Sequence, residues 1–105
     1  MVKEVEIRKR AIQILEKEKW IVWWPSKVKF KQSDIFGIFD IICWRKITGN
    51  LKFIQLTTLS NLSARRKKIQ YFFKKNKINP KIVYNTEVEI WAWNERNIAF
   101  KIELI

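Results

Sequence analysis

The chain has no histidine and a single cysteine, Cys43, among its 105 residues. The first absence excludes His-dependent catalytic triads and His-ligated metals. The second excludes an internal disulfide framework and a Cys-rich zinc site. Glycine and proline number two each, too few for a collagen-like, linker-like or low-complexity chain. No apolar run approaches the ~20 residues of a membrane-crossing helix, and the N-terminus carries no signal-peptide core. A cytoplasmic protein is expected. Any catalysis has to run on carboxylates, lysines, hydroxyls and oxygen-bound metal.

Acidic residues are scarce as well: ten Asp and Glu stand against 22 Lys and Arg, for a formal charge of +12. Between Ile41 and Thr86 there are none, while eleven basic residues fall in that stretch. A solvated, salt-bridged surface interleaves its signs, and this segment does not. A small domain so charged points to a polyanionic partner, nucleic acid before membrane. The competing reading is a basic surface that serves only solubility.

What the chain does have is apolar residues, 48% of the total, with 14% aromatic. That is enough for one buried core at a length typical of single domains. Helical spacing of Ile7, Ala11, Ile14 and Leu15 predicts an amphipathic helix over Val2 to Lys19. Trp20 to Trp24 reads as a strand stopped by Pro25, and residues 26–33 as a loop or ragged edge strand. Ile38 to Trp44 and Leu51 to Thr58 read as strands joined through the turn at Thr48, Gly49 and Asn50. Ser60 or Asn61 is placed to cap a second helix running to about Asn76, with Leu62, Ile69, Phe72 and Phe73 inward. Glu87 to Trp93 and Ile98 to Leu104 form a closing hairpin. The expectation is a single α+β domain with a mixed sheet and two helices, in the order αβββαββ.

One residue breaks the pattern. Asp40 lies inside an apolar strand, preceded by Ile38 and Phe39 and followed by Ile41, Ile42 and Cys43. A carboxylate there demands a hydrogen-bonding partner, an ion pair or a cation. A hard divalent cation suits it, and a backbone amide or a lysine suits it equally. Gly37 just upstream permits a positive φ or close backbone approach. Asp34 precedes it on the loop. Residues 57–65 are rich in hydroxyls and amides, with Ser60, Asn61 and Ser63 ahead of the basic run Arg65, Arg66, Lys67 and Lys68. Such groups at a helix start donate well to phosphate, although Ser60 or Asn61 serves as an ordinary cap too. Trp91 and Trp93 share one sheet face, as core or as a dimer contact. Cys43 reads as a small buried apolar residue.

The whole order, with Gly37-Ile-Phe-Asp40-Ile-Ile before the second core strand, resembles the PD-(D/E)XK nuclease superfamily. It is most similar to small archaeal and phage Holliday junction resolvases. The resemblance spans nearly the whole chain and implies a restriction-endonuclease-like sheet, Mg²⁺ or Mn²⁺, branched or structured DNA and a homodimer. It makes Asp40 the first metal ligand. It aligns Phe53-Ile-Gln55-Leu-Thr57 with the family's acidic-x-Lys motif, so that Gln55 replaces the second carboxylate and Thr57 the catalytic lysine. The position at which these resolvases offer a Glu from the first helix is held by Arg8, with Glu4 one turn earlier on the same face. Lysine migration onto the second helix makes Lys67 or Lys68 the missing cation.

Three functional readings follow. The first is a metal-dependent endonuclease with Asp40, Gln55, Glu4 and Lys68 catalytic, Asp40, Gln55 and Asp34 on the metal, and Arg65, Arg66, Lys67, Lys68, Ser60, Asn61, Ser63 and Lys52 on DNA. The second keeps the fold and the DNA or RNA binding but not the catalysis. The third is an assembly protein using its aromatic faces. A dimer interface is expected on the final hairpin with Trp91 and Trp93, or on the second helix at Tyr71, Phe72 and Phe73.

Overall fold

The computed structural model describes residues 3–25 and 34–105; the expected loop or edge strand at 26–33 lies outside them. Helix α1 (Glu4–Lys17) buries Ile7, Ala11, Ile12 and Leu15. Ile14, expected inward, is 40% exposed, and Ile12 takes its place. Glu4 and Glu6 in the first turn and Lys17 in the last complement the helix dipole. Both helices end in the same way. At α1 the Trp20 N–H donates to Leu15 O and the Lys19 N–H to Glu16 O, with Lys19 at a φ of 72°. At α2 (Leu62–Lys75), Ile78 donates to Phe73 O and Lys77 to Lys74 O, with Lys77 at 57°. These are Schellman closures with lysine in the left-handed position usually held by glycine.

Five strands form one sheet in chain order: β1 (Ile21–Trp23), β2 (Ile41–Trp44), β3 (Leu51–Thr58), β4 (Thr86–Asn94) and β5 (Ala99–Leu104). All neighbours run antiparallel except β3 and β4, which are parallel and joined through α2. The architecture is therefore the expected α+β domain with a mixed five-stranded sheet and two helices. No helix among the described residues is long and apolar enough to cross a membrane.

The two helices cover opposite faces of the sheet. Ala11, Ile12 and Leu15 of α1 pack with Trp20, Ile41, Cys43, Ile54 and Trp91. Leu62 and Ile69 of α2 pack with Ile38, Phe39, Val88, Ile90 and Ala92. The alternation along β3 decides which side chain meets which helix: Lys52, Ile54 and Leu56 face α1, whereas Phe53 and Gln55 face α2. Burial pushes the Cys43 thiol up to about 12, so it stays protonated as an inert core residue.

Two expectations need correction. The strand predicted from Ile38 begins only at Ile41. Upstream, Ile35 and Phe39 form an isolated antiparallel bridge around a tight turn with Phe36 and Gly37 both at positive φ. A Cβ on Gly37 would meet nothing within 4 Å, so its requirement is conformational. Second, Trp91 and Trp93 are 1% and 6% exposed and pack on Phe100, which removes them from any interface. The exposed apolar side chains of that hairpin are Ile98, Ile102 and Leu104 instead. On α2, Tyr71 is exposed, whereas Phe72 and Phe73 turn partly inward against the sheet.

Candidate functional site

The pairing of β2 with β3 stops at Ile41 opposite Ile54, because the chain turns away into Phe39 and Ile38. Asp40 sits at that departure. Its N–H still donates to Ile54 O at 2.9 Å. Its carboxylate takes the ladder position that the strand vacates: Oδ2 accepts the Leu56 N–H at 2.7 Å and Gln55 Nε2 at 2.9 Å. Gln55 Nε2 also donates to Leu56 O, which fixes the amide, while the buried Gln55 Oε1 has no hydrogen-bond partner.

Asp40 is thereby an acid in a poorly solvated place. Burial pushes its carboxyl up to about 6, and the negative charges of Asp34 and Glu4 push the same way. The Leu56 N–H and the charge of Arg65 pull it down. The charges of Asp34, Glu4 and Arg65 thus all lie within electrostatic reach of this one carboxylate.

Beside this pair opens a cleft of about 260 Å³. Glu4 and Ile7 of α1 form one wall, Leu56, Thr57 and Thr58 the floor, and Asn61 and Arg65 the other wall. It lies at the C-terminal end of β3, where the chain crosses into α2, a position at which sheets with parallel strands commonly hold ligands. Asn61 is the N-cap of α2 but makes no side-chain cap hydrogen bond. The capping expected of Ser60 is absent too: its hydroxyl meets Thr58 Oγ1 at 3.1 Å, and it lines an adjoining recess together with Asn61.

The other expected site residues divide clearly. Glu4, Asn61 and Arg65 come together in the cleft, and Gln55 meets Asp40 behind its floor. Ser63, Lys67 and Lys68 are exposed on α2 and do not line it. Arg66 is held by a two-pronged pair with Glu103 of β5, through Nε on Oε1 and through Nη2 on Oε2 at 2.9 Å. Lys52 is corrected outright as a DNA contact. It is 8% exposed on the α1 side, 3.4 Å from Glu89 and 3.6 Å from Glu87, with its ammonium over the Trp20 ring.

The cation that faces Thr57 across the cleft is Arg65, rather than Lys67 or Lys68. Its position was legible: Arg65 lies four residues after Asn61 and so shares its helix face. Asp40 and Glu4 are carboxylates of the kind a hard cation takes, but Gln55 turns its Nε2 donor toward Asp40 and keeps its unpartnered Oε1 buried, so only the carboxylates present ligand oxygens as the side chains stand. Among the described residues no three acidic or soft ligands cluster as a metal centre. Comparison with known proteins finds no matching family model, curated protein or solved structure.

Proposed function

We propose that the chain is a metal-dependent endonuclease that acts on branched or structured DNA as a homodimer. The observation that carries this reading is the meeting of Asp40 and Gln55, from separate strands, beside a cleft that holds Glu4 and Arg65. Asp40 is the residue that would hold Mg²⁺ or Mn²⁺, with Glu4 across the cleft; Gln55 would join it only with its amide turned to present Oε1 in place of the Nε2 that now donates to Asp40. When bound, such an ion supplies charge neutralisation at the phosphate and activation of the attacking water. Arg65 contributes a fixed cation for a phosphate oxygen, and the Thr57 and Thr58 hydroxyls add donors beside it. The first amide of α2 is not among these donors, since a 3-10 turn at Leu59–Asn61 leads into the helix and the Leu62 N–H donates to Leu59 O.

A specific observation favours a second reading, a nucleic-acid-binding module without catalysis. Oδ2 of Asp40 is already satisfied by Leu56 and Gln55, and a neutral threonine stands where a lysine would stabilise the transition state. One experiment separates the two: incubation of a four-way junction with the protein in Mg²⁺, Mn²⁺ or EDTA. The nuclease reading expects cleavage with either metal, none in EDTA, and loss by several orders of magnitude in Asp40→Ala. Gln55→Glu is expected to tighten metal binding by adding charge on a hard cation. Salt-sensitive binding with no cleavage under any condition replaces the first reading with the second.

A further inference from the structure

We propose that a phenylalanine-lined hollow under the last turns of α2 is a binding site for one unpaired nucleobase. The inference rests on the nucleic-acid reading above but not on catalysis. The hollow measures about 410 Å³, within the range of pockets that enclose a small ligand. Phe36, Phe39, Phe53, Phe72 and Phe73 all contribute to its lining. Phe39, Phe53, Phe72 and Phe73 belong to the core on the α2 side, and Phe36 is the ring left open to solvent. Phe36 remains 67% exposed while packing at 6.1 Å from Phe53 and 5.8 Å from Phe72, centroid to centroid. It is also held at a φ of 55°, a backbone conformation uncommon for an aromatic residue. An aromatic ring presented to solvent at the mouth of an aromatic cavity is a stacking platform.

The rim decides the occupant. No lysine lines the hollow itself, but Lys74 and Lys75 follow Phe73 in the chain, Lys77 lies between the lining residues Asn76 and Ile78, and Lys81 follows Pro80. All four lysines are exposed and outnumber the acidic neighbours of the lining residues, Asp34, Asp40 and Glu87. An apolar peptide has no use for that charge, whereas a nucleotide offers a flat π-face to the rings and a phosphate to the lysines. Two polar side chains, Asn76 and Thr86, stand in the wall; Asn76 Nδ2 donates to Phe72 O and Thr86 Oγ1 to Tyr84 O, which leaves their oxygens as acceptors for the edge of a base. The Schellman closure of α2 builds the site, since it folds Ile78 back against Phe73. Along α2, Arg65 in the cleft and Asn76 in the hollow are separated by about 16 Å. One strand can therefore span both sites.

The test is equilibrium binding of the intact protein to three labelled duplexes: fully paired, with one extrahelical base, and with an abasic residue at that position. The extrahelical base is expected to bind about tenfold more tightly than its abasic counterpart. Phe36→Ala should erase that preference and leave binding to the paired duplex unchanged, and Phe36→Tyr should keep it. Phe36 is exposed enough for these variants to fold, which thermal melting checks. Equal affinity for base and abasic duplexes, with binding still salt-sensitive, overturns the base site and leaves the nucleic-acid reading standing. A preference that survives Phe36→Ala also overturns it, as does an apolar peptide that binds the hollow while base and abasic duplexes bind equally. Failure to bind any of the duplexes at low salt removes the nucleic-acid reading itself.

Discussion

Replacing Asp40 by Asn isolates one charge with little change of shape. The asparagine oxygen can still accept from the Leu56 N–H and from Gln55 Nε2, the two donors now on Oδ2. In the folded protein the Asp40 carboxyl rises from its ordinary 3.8 to about 6, chiefly through burial. At about 1.4 kcal/mol per pH unit, that shift makes the ionised form cost the fold ~3 kcal/mol. The sign follows from proton counts. Between pH 4 and 6 the folded carboxyl retains a proton that the unfolded one has released, so stability falls as pH rises through this window. Above it the full cost is present. Asp40→Asn is therefore expected to match the parent near pH 4 and to exceed it by ~3 kcal/mol at pH 8. In urea unfolding followed by tryptophan fluorescence, this is a midpoint increase on the order of 1–2 M. Mg²⁺ added at pH 8 should stabilise the parent and not the variant if Asp40 holds the ion. A variant that is less stable at pH 8, or displaced equally at every pH, would refute the reasoning and make the ionised Asp40 a structural partner.

Other outcomes are expected from the same geometry. Log K for duplex DNA should fall with log salt at a slope near −5 if about six phosphates are neutralised. Arg65→Gln should weaken this binding and lower the slope, whereas Arg66→Gln should change both little because Arg66 is paired with Glu103. Lys52→Met should destabilise the fold by ~3 kcal/mol, since it leaves the Glu89 charge beside the core with only the Trp91 Nε1–H donor, and should leave DNA affinity unchanged; Lys52→Met with Glu89→Gln should recover most of the loss in urea unfolding. Sedimentation should give twice the chain mass, and Ile102→Glu with Leu104→Glu on the β5 edge should reduce it to the monomer; a parent that is monomeric at every concentration removes the dimer.

The element order was legible because each helix and strand carries a clear period and the turns are marked by Gly49, Pro25 and Pro80. So was the meeting of Asp40 with Gln55, which a short hairpin enforces once both strands are recognised. Less legible was the turn at Phe36 and Gly37. An apolar run from Ile38 reads as strand, and only the positive φ pair shows that it reverses. The helix ends were hidden for a related reason, since lysine rather than glycine takes the left-handed position in both closures. Ile12 and Ile14 both fit a helical stripe, and the tilt of α1 on the sheet chooses between them. Lys52 carried an unread signal. It alternates with Ile54 and Leu56 on the inward face of β3, and Glu87 and Glu89 recur at the matching spacing on β4.

That buried lysine also explains how a strongly basic chain acquires a directional surface. α1 carries four basic and three acidic residues, whereas α2 carries six basic and none acidic. On the α1 face Lys52 is neutralised by Glu87 and Glu89, so the sheet adds little positive charge there. On the α2 face Glu103 engages Arg66 alone, while Lys67, Lys68, Lys74 and Lys75 stay exposed and Arg65 turns into the cleft. The field is thus polarised across the sheet, and its positive side runs along α2 from the Asp40 cleft to the phenylalanine hollow. A polyanion steered by that field arrives on the face where the cleft cation and the exposed ring of Phe36 lie. Reversing Arg65, Lys67 and Lys68 to Glu should for that reason abolish DNA binding without disturbing the fold, because none of the three is buried in either core cluster. Unchanged affinity in that variant would show that the charge serves solubility alone.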